Sequence, residues 1–200
     1  MKLGVLSSHE GTTLQSLIDA CANRQVHGRV AIVVSNNSDS GALVRARRAN
    51  IAAVHLSSKT HANPEVLDAA IRDALVGAGV DLVFLAGYMK RLGPLVLAAF
   101  NGRILNTHPA LLPRFGGQGM YGDRVFEAVL RAGEAASGIS VHVVDPEYDT
   151  GRIVGQCTVP VLPGDSIDDL KARVRAREKE FVVETLAAIA EGRIHLERAG

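Results

Sequence analysis

Asn106 and His108 stand two residues apart, directly after the apolar run 103–105. In extended backbone, residues two apart project to the same side. The spacing therefore aims a carboxamide and an imidazole into one volume. Such a pair suits acyl chemistry. A carboxamide N–H can donate to an oxygen that gains negative charge, and an imidazole can move a proton near neutral pH. Pro109 and Pro113 stiffen the chain behind them. A carboxylate that orients His108 and raises its basicity would complete the set. The acidic loop 145–151 offers Asp145, Glu147 and Asp149, and spacing alone does not choose among them. A metal hydrolase built on His108, His142 and Asp149 is disfavoured, because their spacing matches no recognised metal motif.

Other positions offer binding groups. Ser7 to Thr13 joins an apolar run to a helical pattern through a glycine, so its N–H groups can hold an anion. It contains neither GxGxxG nor GxxxxGK[ST]. A single phosphate on Gly11, Thr12 and Thr13 fits better, and a plain helix capped by Thr12 or Thr13 is the competing reading. Gly87 ends a strongly apolar run and would let a ligand approach the backbone. Glu178 falls on the apolar stripe Ile167, Leu170, Val174 and Phe181 of a long helical pattern. An inward carboxylate needs a partner. That partner is Arg175, Arg177 or a ligand hydroxyl, with the ligand favoured.

These residues need a scaffold. Apolar runs at 3–6, 30–34, 52–56, 80–86 and 103–105 read as strands. Helical patterns start at residues 12–13, cover 42–49, open at Pro64, and cover 92–100. The alternation predicts an α/β fold: a single-domain, doubly wound, mostly parallel sheet. Residues 138–144 and 153–159 form β-rich runs that predict an antiparallel addition, and a helix follows over 167–190. One domain spans 1–200, with a phosphate-binding half over about 1–100 and a catalytic half over about 101–200.

Composition narrows the classes. Hydrophobic residues are 47%, charged residues 22%, and the formal net charge is +1, which is ordinary for a soluble globular chain. Aromatics are 4% with no Trp, which argues against a stacking platform for nucleic acid. Cys21 and Cys157 form no zinc spacing and read as two reduced core thiols. The opening apolar run is too short for a signal segment or membrane span, so a cytoplasmic protein without membrane or nucleic-acid partners is expected. Gly116, Gly117, Gly119 and Gly122 make the stretch after Pro113 a candidate mobile loop.

The motifs together resemble a known family. Asn106-Thr107-His108-Pro109-Ala110-Leu111-Leu112-Pro113, then Gly116-Gly117-Gln118-Gly119-Met120-Tyr121-Gly122, is similar to the phosphoribosylglycinamide formyltransferases. Leu85-Ala86-Gly87-Tyr88-Met89, the run from Ser140 to Gly151, and Gly11-Thr12-Thr13-Leu14-Gln15 follow the same pattern, in the same order. The resemblance implies formyl transfer from 10-formyltetrahydrofolate, as co-substrate, to the amine of glycinamide ribonucleotide, with no metal. It implies Asn106, His108 and Asp149 as the catalytic trio. It places the substrate phosphate on Gly11, Thr12 and Thr13, and the ribose on Glu178. Met89, Lys90, Arg91, Leu92 and Asn106 would line the folate pocket, joined by the 145–149 loop. Thr13, Pro64, Ala110 and Arg152 depart from the common pattern, and none removes a catalytic group. The competing activities are a sugar-amine formyltransferase or a formyl-folate hydrolase on the same scaffold. A non-catalytic phosphate-ligand binding protein is the reading from another class. The oligomeric state is left open, with a homodimer admitted.

Overall fold

Each apolar run becomes a strand in the computed structural model of the chain, which describes residues 1–196. The strands are β1 (Lys2–Leu6), β2 (Arg29–Ser35), β3 (Ala52–His55), β4 (Leu82–Leu85), β5 (Ile104–His108), β6 (Ala136–Val143) and β7 (Ile153–Pro160). The helices are α1 (Thr12–Ala22), α2 (Gly41–Arg48), α3 (Pro64–Gly77), α4 (Pro94–Ala99), α5 (Asp123–Arg131) and α6 (Ile167–Ala190). One seven-stranded sheet results, in the order β3-β2-β1-β4-β5-β6-β7. The pairs from β3 through β5 are parallel, as helical crossovers require. β6 runs against β5, and β7 runs against β6, so β6 alone opposes the common direction.

Strand alternation divides the core in two. Leu3, Val5, Phe84, Leu105 and Val141 pack under α1, α2 and α6, against Leu14, Leu17, Leu43, Val182 and Leu186. Leu6, Ile32, Val83, Leu85 and Ile104 pack on the other face under α3 and α4, against Ile71, Leu75, Val96 and Phe100. Gly4 keeps that second face thin, since a Cβ there would lie 2.6 Å from Leu75 Cδ2. A third cluster joins α5 and α6 to β6 and β7 through Phe126, Val129, Ile139, Leu170 and Val174.

Helix ends follow from local chemistry. Asn63 accepts from the Glu65 and Val66 N–H groups, and Pro64 opens α3. Ser166 and Asp169 form a capping box on α6. The expected threonine cap on α1 is not what forms. Gly11 takes the cap position at φ +68°, without a side-chain hydrogen bond, and Thr12 is already helical. A Cβ at Gly11 would meet Ala42 Cα at 2.8 Å, so glycine is needed for both conformation and space.

Three further readings change. α5 lies in a span, 123–131, for which no element was anticipated. Its buried Val125, Phe126 and Val129 give it an inward face at helical spacing. β5 continues through His108, so Asn106 and His108 belong to the strand itself. The cysteines are free but only half-buried, and Cys157 lies on the edge strand β7 rather than in the core. Among the described residues, no helix is long and apolar enough to cross a membrane.

Candidate active site

β5 ends with Asn106, Thr107 and His108, and pleating sends them to alternate sides. Asn106 and His108 share the α3/α4 side with Ile104. Asn106 is opposite His142 in the antiparallel pair, and His108 is opposite Ser140. His142 Nδ1 lies 3.0 Å from the Val143 carbonyl, and its Nε2 lies 3.1 Å from Asn106 Nδ2. The Asn106 amide carries two hydrogens, so at least one is left for a ligand.

The loop between β6 and β7 brings Asp149 between both imidazoles. Asp149 Oδ2 lies 3.5 Å from His108 Nδ1, and Oδ1 lies 3.4 Å from His142 Nε2. The Gly117 N–H also donates to Asp149 Oδ2 at 3.0 Å. Asp149 reaches this place with a left-handed backbone, φ +58°, which Asp tolerates better than most residues. The other ring nitrogen of His108, Nε2, donates to the Phe115 carbonyl at 2.6 Å. Residues far apart in the chain therefore converge on one carboxylate.

Electrostatics sets the resting charges. Burial pushes Asp149 upward, but His142, the Gly117 N–H and the two imidazoles outweigh it and hold the carboxyl below its ordinary value. For His108 the balance goes the other way. Burial lowers it below the ordinary imidazole value, against the upward pull of Asp149 and the Phe115 carbonyl. The pull expected of a carboxylate partner is therefore present, but burial outweighs it and favours the neutral ring.

The Pro-bounded loop is tied down from below. Ser140 Oγ donates to the Ala110 carbonyl at 2.7 Å and accepts from the Leu112 N–H at 3.0 Å. Gln156 Nε2 donates to the Leu112 carbonyl at 2.9 Å. These bonds fix the chain that follows His108.

Beside this network lies a cleft. Its apolar wall is Leu85, Leu92, Leu97 and Val144, with Tyr88 at one side, and its polar end is Asn106, His142 and Asp149. Lys90 and Arg91 also line it, while Met89 does not and is half exposed. The Met89 N–H is instead held by Ser8 Oγ at 2.8 Å. Arg91 donates to the Pro146 carbonyl and stacks over Tyr148 at 5.7 Å, joining the cleft wall to the 145–149 loop. Asp145 and Glu147 line it as well, so the slot is apolar along its wall, polar at its inner end and of mixed charge at its rim, a shape that suits a flat, partly polar ligand.

The phosphate candidates sit on the other face. Gly11, Thr12 and Thr13 form the start of α1, whose free N–H groups lie at the C-terminal end of β1. Glu178, on α6, accepts from Thr107 Oγ1 at 2.6 Å. Neither arginine considered for it is its partner in an ion pair. Arg177 turns to Glu180 and Glu184, and Arg175 acts on it only at a distance. Burial raises the Glu178 carboxyl above its ordinary value, with the Thr107 bond pulling back.

His142 is the site residue that sequence reasoning underrated. In the chain it is one alternating residue of β6. Only the register opposite Asn106 reveals it, and no local spacing encodes that register.

The comparisons agree with this geometry. Residues 1–186 match the family model described as formyl transferase. The chain is 40% identical over 195 residues to the phosphoribosylglycinamide formyltransferase of Haemophilus influenzae, covering 98% of this chain and 90% of that protein. It is 36% identical over 196 residues to the Escherichia coli protein of the same name, covering 98% and 90%. It superposes on the crystal structure of glycinamide ribonucleotide transformylase 1 from Symbiobacterium toebii with a TM-score of 0.90 and 41% identity, covering 98% of this chain and 91% of that one. Residues 1–186 thus form a formyl transferase domain. The chain belongs to the formyl transferase family, on its phosphoribosylglycinamide formyltransferase branch.

Proposed function

We propose that this protein transfers the formyl group of 10-formyltetrahydrofolate to the amine of 5-phosphoribosylglycinamide, a step of de novo purine synthesis. The observation that carries the reading is the Asp149 carboxylate, which closes the inner end of an apolar cleft beside Asn106 and His142 and reaches the buried His108 behind them. The family to which the chain belongs supports the same reaction.

The residues divide the work. Leu85, Leu92, Leu97 and Val144 hold the folate ring system, and Lys90 and Arg91 lie where its acidic tail leaves the cleft. Met89 contributes through its backbone, which Ser8 fixes. Asn106 presents its remaining amide hydrogen to the formyl oxygen, where negative charge develops as the amine attacks. His142 holds that amide in orientation. Burial favours the neutral form of His108. Its Nε2 is bound to the Phe115 carbonyl, so the ring nitrogen free to take a proton is Nδ1, which faces Asp149. The proton that the attacking amine releases reaches it by way of the Asp149 carboxylate, which lines the cleft and then stabilises the imidazolium. The same proton can then go to the nitrogen that leaves. Gly11, Thr12 and Thr13 hold the phosphate and Glu178 the ribose hydroxyls, so the amine is delivered by binding rather than by chance collision.

This is the chemistry of a cytoplasmic enzyme with two small-molecule substrates. The direct assay follows formylated product from glycinamide ribonucleotide and 10-formyltetrahydrofolate. Absence of product with this amine, alongside product with an amino sugar, would replace the acceptor. Folate turnover without any amine would make the protein a hydrolase. Tight ligand binding with no turnover would leave a binding protein.

A further inference from the structure

β5 separates its last three side chains by face. Asn106 and His108 turn to the α3/α4 side, where Asn106 lines the cleft beside His142 and Asp149 reaches the buried His108. Thr107, between them, turns to the α1/α6 side, as do Leu105 before it and Val141 opposite it. There its hydroxyl donates to Glu178 Oε1 at 2.6 Å. Among the described residues this is the only hydrogen bond the Glu178 side chain makes, and no cation forms an ion pair with it. The helix could have paired this carboxylate with Arg175, three residues back, but Arg175 acts on it only at a distance, and Arg177 is committed to Glu180 and Glu184. A half-buried carboxylate held by one neutral hydroxyl still has acceptor capacity for a ligand.

The start of α1 lies on the same face, so Gly11 to Thr13 and Glu178 are on one side of the sheet. β4 is the one strand between β1 and β5. Two strand spacings are roughly 10 Å, a gap that a phosphorylated ribose and the reach of a glutamate can bridge.

We propose that Thr107 is a positioning residue for the amine substrate: its hydroxyl fixes the Glu178 carboxylate so that the remaining oxygen meets the ribose hydroxyls. The proposal rests on the assignment of Glu178 to the ribose. Its consequence is that three consecutive residues of one strand serve both substrates, the outer two from one face and the middle one from the other. Thr107 touches no reacting atom. It acts through Glu178, and its loss changes binding rather than turnover.

The test uses the whole enzyme and steady-state kinetics on both substrates. Thr107→Val keeps the side-chain shape and removes the hydroxyl. The expected result is a KM for glycinamide ribonucleotide raised about tenfold, as for loss of a hydrogen bond to a charged group. The kcat and the folate KM stay within about twofold of wild type, which also reports correct folding. Thr107→Ser restores the wild-type KM. With a substrate analogue lacking the ribose hydroxyls, wild type and Thr107→Val become equal, an outcome that general loosening of β5 would not give. Glu178→Gln is measured in parallel. A raised ribonucleotide KM in Glu178→Gln without one in Thr107→Val overturns the Thr107 proposal alone. An unchanged KM in both overturns the ribose assignment as well. A kcat loss in Thr107→Val that matches its KM change, or persists with the analogue, makes the residue structural and also overturns the proposal.

Discussion

The two faces of the sheet meet at the same strand ends but are assembled differently. On the cleft face, Asn106 and His142 are 36 positions apart, and Asp149 joins them from the loop beyond β6. Every polar group there is held by another polar group or by a backbone carbonyl. On the α1/α6 face, the phosphate candidates Gly11, Thr12 and Thr13 are consecutive, and their N–H groups need only a helix to begin at that point. Anchoring an anion takes parallel backbone dipoles, which a few neighbouring residues can supply. Moving a proton beside a developing charge takes side chains of different types at fixed distances, and adjacent residues of one strand cannot all face the same way. The difference predicts that damage on the cleft face lowers turnover and that damage on the other face weakens the amine substrate.

The strongest test is Asn106→Ala. Loss of one oxyanion donor should lower kcat by roughly 100- to 1,000-fold, with the ribonucleotide KM changed little. A variant with near-normal kcat would remove Asn106 from the chemistry. Asp149→Asn should cost about 100-fold in kcat through the loss of proton handling. It should also shift the acid limb of the kcat/KM profile to lower pH, because the carboxylate is what raises His108 against burial. An acid limb that stays in place would show that another group controls it.

Gly11→Ala probes the opposite face. It forces a Cβ onto Ala42 and an alanine into the left-handed region. Stability should fall by about 1–2 kcal/mol from the backbone conformation alone. The ribonucleotide KM should rise while the folate KM holds. Equal effects on both would erase the proposed division between faces.

Acid titration of stability gives a smaller effect with a definite sign. His108 is depressed in the fold, so the unfolded chain takes up its proton first. Its contribution is full above the ordinary value of 6.5 and is lost as pH falls from there toward the folded value. Asp149 is also depressed, and its contribution fails only below 3.8. Thermal melts should therefore show Tm falling below about pH 6.5, with that first decline reduced in His108→Gln. An unchanged decline would assign it elsewhere. The smallest expected change is Ser166→Ala at the capping box of α6, which should cost about 1 kcal/mol and leave both KM values alone. A raised ribonucleotide KM there would show that the aim of Glu178 depends on the far end of its helix.

Periodicity and composition by themselves determined the alternating α/β pattern, the approximate position of all seven strands and the long last helix. β4 follows from a wholly buried apolar run, and Pro64 marks a helix start through chemistry local to it. The spacing of Asn106 and His108 was equally local, because two residues in extended chain share a side whatever surrounds them. α5 was legible too, since Val125, Phe126, Val129 and Leu130 recur at helical spacing; the reading stopped at the glycines before it.

Tertiary structure decided the rest. The choice of Asp149 over Asp145 and Glu147 as the residue between the imidazoles depends on how the β6–β7 connection folds back. His142 depends on antiparallel register, which pairs residues across a long sequence gap and leaves no periodic trace. Burial sets the charge of His108, and no reading of residue types gives burial. The partner of Glu178 was sought one turn away on its own helix and lies instead on β5, between the two residues from which the reading began.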